Sequence, residues 1–228
     1  MDFNREWDNL EHINSSKILH FVDLLRTLYM PLRKNSHARG KLKTLTIPNA
    51  SELIQSGVRI KVGSVTNMFD IHFSNGILEI PKLVIAFVTE LIIRNLLAFE
   101  QRQCRESYLN DYTMLMTRLV STPKDVDLLV KHGIVENKLG DSIEACSFAN
   151  RLTDGLIVKL NDFYFAAVCK ELNVYCQTPW NTWKANLKQN YFNTPWAVVS
   201  VIAASLLIVL TIIQAVCSVL SVTTGDQL

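Results

Sequence analysis

The sequence lacks the short motifs by which the common enzyme classes are recognised. It has no Gly-x-Ser-x-Gly nucleophile turn, no Gly-x-Gly-x-x-Gly fingerprint, no phosphate-cradling loop ending in Lys, and no His-Glu-x-x-His helix. Serine hydrolases on the nucleophile elbow, dinucleotide enzymes, P-loop NTPases and zinc proteases of that type are therefore not indicated. Cysteine is scarce and odd in number: Cys104, Cys146, Cys169, Cys176 and Cys217 stand at unrelated spacings. That pattern supports neither a disulfide framework nor a zinc knuckle, and buried free thiols in a reducing compartment account for it. Aromatic residues do not interleave with the basic stretch near the N terminus, as a stacking platform for nucleic acid would require. No cofactor, metal or nucleic acid is expected.

The most informative absence lies at the end of the chain. From Ala197 to Val222, twenty-six residues pass without one Asp, Glu, Lys, Arg, His or Pro. At about 1.5 Å per helical residue such a run crosses a hydrocarbon core roughly 30 Å thick. The reading is a C-terminal, single-pass transmembrane helix in the lipid bilayer; a buried helix of a large soluble core is the alternative. Pro195 suits the first helical position after a Thr194 cap. Trp196 falls at the polar boundary, with Trp180, Trp183 and Tyr191 upstream as interfacial or juxtamembrane aromatics. Ser200, Ser205 and Thr211 can bond back to helix carbonyls, whereas Gln214 needs a partner or a headgroup position. Lys184 and Lys188 precede the run and only Asp226 follows it, so the basic-inside bias places the N-terminal domain in the cytosol.

Ahead of the run the chain is long enough for one domain with a sizeable core. The net charge of +2 says little, but residues 1–11 are acidic while Lys17 to Lys43 carries seven Lys or Arg against one Asp. Ile18 to Leu28 has a dense apolar helical face, which Tyr29-Met30-Pro31 ends. Arg33 to Lys43 reads as a basic linker, either a solvated loop or a contact for acidic lipid or nucleic acid. Asn49 and Glu52 form a capping-box pattern, and Gly57 is placed to take the left-handed helix exit, with Leu53 and Ile54 facing inward.

Alternation at Val58, Ile60 and Val62, then at Phe69, Ile71 and Phe73, marks two half-buried strands. Asn75-Gly76 supplies a hairpin turn, and Ile77 to Ile80 returns until Pro81 removes a donor. His72 lies on the polar side of its strand without a second metal ligand at coordinating spacing.

Helices dominate thereafter. Thr89 to Cys104 starts with a plausible cap and carries Arg94, Asn95, Glu100 and Gln101 in an otherwise apolar segment. Arg94 and Glu100, six apart, do not pair on one face, so each is expected to meet a partner from another element in a structural network. Tyr108 to Val120 is a further helix, and Thr122, Pro123 and Asp125 cap and open the next, which Gly133 stops. A short helix around Ile143 to Leu152 follows. Leu160, Phe163, Tyr164, Ala167, Val168 and Leu172 then recur at helical spacing in one segment from Leu156 to Cys176, in which Cys169 and Cys176 share a face. Pro179 interrupts it, and Trp180 to Tyr191 is the last helix before the apolar run. The fold class is α+β, predominantly helical, with a small antiparallel sheet in the first third.

Several blocks carry a resemblance. Ile47 to Lys61 (IPNASELIQSGVRIK), Phe69 to Leu83 (FDIHFSNGILEIPKL), Arg94 to Gln101 (RNLLAFEQ), Thr122 to Gly140 (TPKDVDLLVKHGIVENKLG) and Trp180 to Trp196 (WNTWKANLKQNYFNTPW) occur in one order. Together with the apolar end they resemble the plant membrane proteins grouped as domain of unknown function 247. The agreement runs from about Pro48 to Val222. Members carry a longer N-terminal half, so the resemblance implies that this chain is like a C-terminal portion. It also implies plant origin and a single-pass membrane protein, with some relatives acting in pollen recognition during self-incompatibility.

Four parts result: residues 1–46, an N-terminal helix and basic linker; 47–194, a helix-rich globular domain; 195–222, the anchor; and 223–228, a short tail. Three functional readings stay open. The first is a membrane-anchored protein that binds an unknown protein partner without chemistry of its own. The second is a membrane-bound enzyme assembled from scattered residues such as Glu100, Cys104 and His132. The third is a truncated family copy with reduced function.

Overall fold

The capping residues locate the helices of the body. Asn49 Oδ1 accepts from the Glu52 amide at 2.9 Å while a Glu52 carboxylate oxygen accepts from the Asn49 amide at 2.9 Å, so the reciprocal box opens helix α2, Ala50–Gln55. The computed structural model describes residues 18, 20–29, 39–64, 67–179 and 195–225, and the chain divides into two units, Met1–Asn181 and Thr182–Leu228.

In the first unit, α1 spans Phe21–Tyr29 and α2 leads through Gly57, at φ +89°, into strand β1, Arg59–Val62. β2 (His72–Ser74) and β3 (Ile77–Ile80) form the Asn75-Gly76 hairpin, in which both turn residues have positive φ, 51° and 74°. This is the two-residue turn chemistry that the strand twist favours. β4 (Leu83–Ile85) follows Pro81, and α3 (Phe87–Gln103), α4 (Tyr108–Leu119) and α5 (Pro123–Lys131) come next. β5 (Val135–Asn137), α6 (Ser142–Thr153) and α7 (Ala166–Gln177) complete this unit among the described residues. The core is continuous: Leu53, Ile60, Phe69, Ile71, Leu78, Ile80, Leu115, Leu129, Phe163 and Phe165 are all buried within one cluster.

The sheet is mixed, which corrects the antiparallel expectation. Its order is β1-β3-β2; β2 pairs with β3 antiparallel, but β1 pairs with β3 in parallel, with Arg59 opposite Ile77 and Val62 opposite Ile80. β2 therefore runs opposite to β1, and the Asn75-Gly76 turn reverses the chain again to bring β3 into line with β1. Phe69 and Ile71 are buried yet precede the strand, so their alternation reported burial of an irregular segment. Val62 ends its strand 46% exposed. A second pair, β4 with β5, is parallel and was not read from the sequence; each strand has three residues, too few to leave a periodic signal.

Three further boundaries differ from the sequence reading. α3 starts at Phe87, with no side-chain cap on Ala86, and Thr89 is buried inside the helix instead of opening it. The segment from Leu156 to Cys176 is not one helix: a 3-10 turn spans Leu160–Asp162, Phe163 bridges to Gly40, and only Ala166–Gln177 is α-helical. The linker is structured in its last part, since the Leu42 amide donates to Leu160 O at 2.8 Å and Leu42 is buried. The helix expected over Trp180 to Tyr191, with Trp180 and Trp183, and the Thr194 cap lie outside the described residues.

The second unit contains α8, Pro195–Gly225, within which Val199–Ser218 is long and apolar enough to cross a membrane. Trp196 is exposed near its start. Ser200, Ser205 and Thr211 donate to the carbonyls of Trp196, Val201 and Leu207 at 2.9, 2.7 and 2.7 Å, which keeps their hydroxyls satisfied within the helix.

A Cβ built on Gly76 lies 2.6 Å from the Tyr175 hydroxyl and 3.0 Å from its Cζ, and the φ of +74° disfavours any L side chain. Gly76→Ala and Gly57→Val are each expected to cost about 1 kcal/mol or more, Gly76→Ala additionally through the collision. Thermal unfolding followed by circular dichroism measures both; wild-type melting of Gly76→Ala would mean that the turn relaxes without penalty.

Candidate functional site

The polar interior is built where the end of α3 meets the start of α4. Glu100 is 1% exposed, and its two carboxylate oxygens accept from the amides of Leu109 (3.0 Å) and Asn110 (2.9 Å). Those amides belong to the first turn of α4, where backbone donors have no partner within the helix, and Ser107 ahead of them provides no side-chain cap. Glu100 thus caps α4 from a neighbouring helix. Burial pushes its carboxyl pKa up, against the pull of the two amides and, more distantly, of Arg26 and Arg39. Asn110 continues the network, donating to Ile157 O at 2.9 Å and accepting from Gln101 at 3.4 Å.

One residue further on, Asp111 is fully buried, and its Oδ2 accepts from the Tyr164 amide at 2.8 Å while Oδ1 has no hydrogen-bond partner. Burial pushes its pKa up to about 7; the Tyr164 amide and Arg39 pull it down, and Glu100 and Asp162 reinforce the rise. Arg39 arrives from the N-terminal segment. Its Nη1 donates to Asp162 O at 3.1 Å, lies 3.3 Å from Asp162 Oδ2, and is 3.8 Å from Asp111 Oδ2. The guanidinium carbon sits 4.4 Å above the Tyr108 ring and 5.7 Å from that of Tyr164. These two rings meet edge-on at 5.0 Å, and burial raises both phenol pKa values.

The remaining residues singled out in the sequence have structural places. Arg94 Nε pairs with Glu90 at 3.1 Å on its own helix, and its Nη2 donates to Arg151 O at 3.2 Å on α6. Arg151 also pairs with Glu90 at 3.1 Å and Glu144 at 3.3 Å, and its hydrogen bond is the main reason the Glu90 pKa is lowered. Asn95 donates back to Leu91 O. Pro81 is buried between β3 and β4, and Gly133 leaves α5 at φ +74°. Pro123 opens α5 behind the Thr122 cap, as the spacing implies, and Asp125 does more than close that box. Its Oδ2 accepts from the Thr122 amide and hydroxyl at 2.8 Å each, while Oδ1 accepts from the Ser51 amide (2.9 Å) and hydroxyl (2.6 Å), tying α5 to α2.

Glu100, Cys104 and His132 are not linked into a catalytic arrangement. Glu100 is engaged by two amides; the Cys104 thiol is pushed up mainly by burial; and His132 Nδ1 bonds Leu128 O at 2.7 Å at the end of α5. His72 pairs with Asp70 across one residue. Among the described residues no three His, Cys, Asp or Glu side chains converge as a metal would require. Sequence reading missed Arg39, Asp111 and the Ser51–Asp125 tie. The one local signal was an acid, Asp111, at a core-facing position of the apolar helix α4.

Fold and site together define a helix-rich α+β domain whose inward acids organise helix ends, on a chain that also holds one apolar helix of membrane-spanning length. The chain belongs to the family known as domain of unknown function 247, described as plant protein of unknown function, which matches residues 1–210. That match includes the segment before Ile47, which the resemblance by motif left out. Two Arabidopsis thaliana proteins are similar to it. UPF0481 protein At3g47200 is 24% identical over 242 residues, covering 96% of this chain and 51% of its own length. Putative UPF0481 protein At3g02645 is 26% identical over 176 residues, covering 76% of this chain and 33% of its own. The chain therefore spans about half the length of the first and a third of the second. No solved structure matches it.

The raised Asp111 pKa carries a pH dependence. The unfolded chain ionises this carboxyl near the ordinary value of about 4, whereas the folded chain holds the proton to about 7. The stability it contributes is complete below about pH 4 and is lost as pH rises through about 7. Urea unfolding of the full chain in detergent is expected to show that decline, and Asp111→Asn to flatten it. An unaltered pH slope in Asp111→Asn would assign the dependence to other groups.

Proposed function

We propose that this chain is a membrane-anchored protein that binds a protein partner and performs no chemistry of its own, with the domain ahead of the anchor in the cytosol. The observation that carries this reading is the disposition of polar and apolar groups. Glu100, Asp111 and Asp125 serve helix ends and core ties, while Phe87, Val88 and Leu91 stand 69%, 63% and 65% exposed on the first turns of α3. Large apolar side chains grouped on one helix face are the usual material of an interface. Among the described residues, a cavity between β4, α3, α4 and α6 is lined mainly by apolar groups such as Leu83, Ile93, Met116 and Phe148 and holds about 30 Å³, room for a water molecule. The apolar length of α8 supports anchoring, and Lys184 and Lys188 ahead of it support cytosolic placement.

The full-length chain is expected to stay in the membrane pellet through carbonate and high-salt extraction, and removal of residues 197–228 to abolish that behaviour. Asn14 and Asn49 both satisfy the glycosylation pattern, so cytosolic placement predicts no glycosidase-sensitive mass change. For the interface, Phe87→Ser with Leu91→Asp is expected to lose a partner cross-linked in mild detergent at unchanged melting temperature. Recovery in the carbonate supernatant would defeat the anchor, glycan on Asn14 the topology, and partner retention by the double variant the α3 surface.

A further inference from the structure

The contact of residues 39–42 with the body has the form of a peptide in a recognition groove. This short stretch, Arg39-Gly40-Lys41-Leu42, lies antiparallel to the segment around Phe163. The Gly40 amide donates to Phe163 O at 3.1 Å, the Phe163 amide to Gly40 O at 3.0 Å, and the Leu42 amide to Leu160 O at 2.8 Å. Arg39 packs against the body and Leu42 is buried in it, while Lys41 between them is exposed. Main-chain bonds to a short segment, with a separate place for each anchoring side chain, are the means by which an extended peptide is recognised.

The pocket for Arg39 is specific in its chemistry. Two tyrosine faces flank the guanidinium, which suits a planar, delocalised cation, and two carboxylates face its Nη1. Asp111 is one of them, wholly buried, and only one of its oxygens is engaged by backbone. A fully desolvated acid is costly unless a cation covers it.

We infer that the groove formed by Tyr108, Asp111, Leu160, Asp162 and Tyr164 is a binding site for an extended peptide of a protein partner, carrying Arg and, three residues later, an aliphatic side chain. Residues 39–42 of the chain are its resident ligand. The charge of the groove selects the cation, the aromatic faces favour the planar guanidinium of Arg over Lys, and the reciprocal bonds at Phe163 fix the peptide direction. This surface is separate from the exposed face of α3 and does not depend on membrane attachment. Because the resident segment is covalently tethered, its effective concentration excludes a peptide in trans unless its anchors are weakened.

The test uses a fluorescent synthetic peptide of residues 37–43 and the full chain in detergent, with binding read by anisotropy. Saturable binding to the Arg39→Ala/Leu42→Ala variant is expected, at least about tenfold tighter than to the wild type. The same peptide with Ala in place of its Arg should not bind. Should the double variant fail to fold, Arg39→Lys keeps a cation while losing the planar stack, and it is expected to admit the peptide more readily than wild type does. Binding to no folded variant, or binding indifferent to the peptide's Arg, would overturn the site. Exchange of Arg39 between two copies in a wild-type dimer would overturn its assignment to a separate partner.

Discussion

A single carboxylate, Glu100, joins the two central helices of the domain. Its oxygens hold the first free amides of α4, so the end of α3 and the start of α4 are fixed to each other without a side-chain cap from the intervening turn. Everything that α4 presents follows from that placement. Asn110 reaches Ile157, Asp111 reaches Tyr164, and Tyr108 lies beneath Arg39, so three successive features of the fold hang on the helix that Glu100 starts. Removing one partner of such a buried charge-assisted contact is worse than never having formed it, because the orphaned group remains desolvated.

The same device is repeated at Asp125, where one acid serves the start of its own helix and the start of α2. Acids at positions where backbone donors converge hold the helix ends in register, and the apolar cluster fills the space between them. The interior charge is thus connective. It is the arrangement that turns a set of short helices and three- or four-residue strands into one core.

What was legible in the sequence was local. The Asn49/Glu52 and Thr122/Asp125 boxes, the Asn75-Gly76 turn and the exits at Gly57 and Gly133 each depend on residues within four positions, and each has the geometry its spacing implies. Glu100 was readable as part of a structural network because it had no partner at helical spacing. Contacts between distant segments were not readable in the same way. The parallel pairing of β1 with β3 joins Arg59 to Ile77, and that of β4 with β5 joins Leu83 to Val135, separations over which no local pattern runs. Leu160, Phe163 and Tyr164 misled for a definite reason: at three and four apart they have helical spacing, yet the backbone at Phe163 is bonded to Gly40 and the α-helix starts only at Ala166. Arg39 looked like one charge in a basic stretch, since its partners Tyr108, Asp111 and Asp162 all stand far along the chain.

That separation has a consequence for the order of events during synthesis. Arg39 and Asp162 are 123 residues apart, so the hydrogen bonds at Gly40 close a loop that takes in most of the domain. Closing so long a loop early costs more entropy than the few contacts return, and the pairing is favoured only once the intervening helices have condensed. The chain also leaves the ribosome from its N terminus, at about 5–20 residues per second, so the basic segment emerges several seconds before its groove exists. During that interval it is a free cationic strand, and its docking is a late event that follows the assembly of the body.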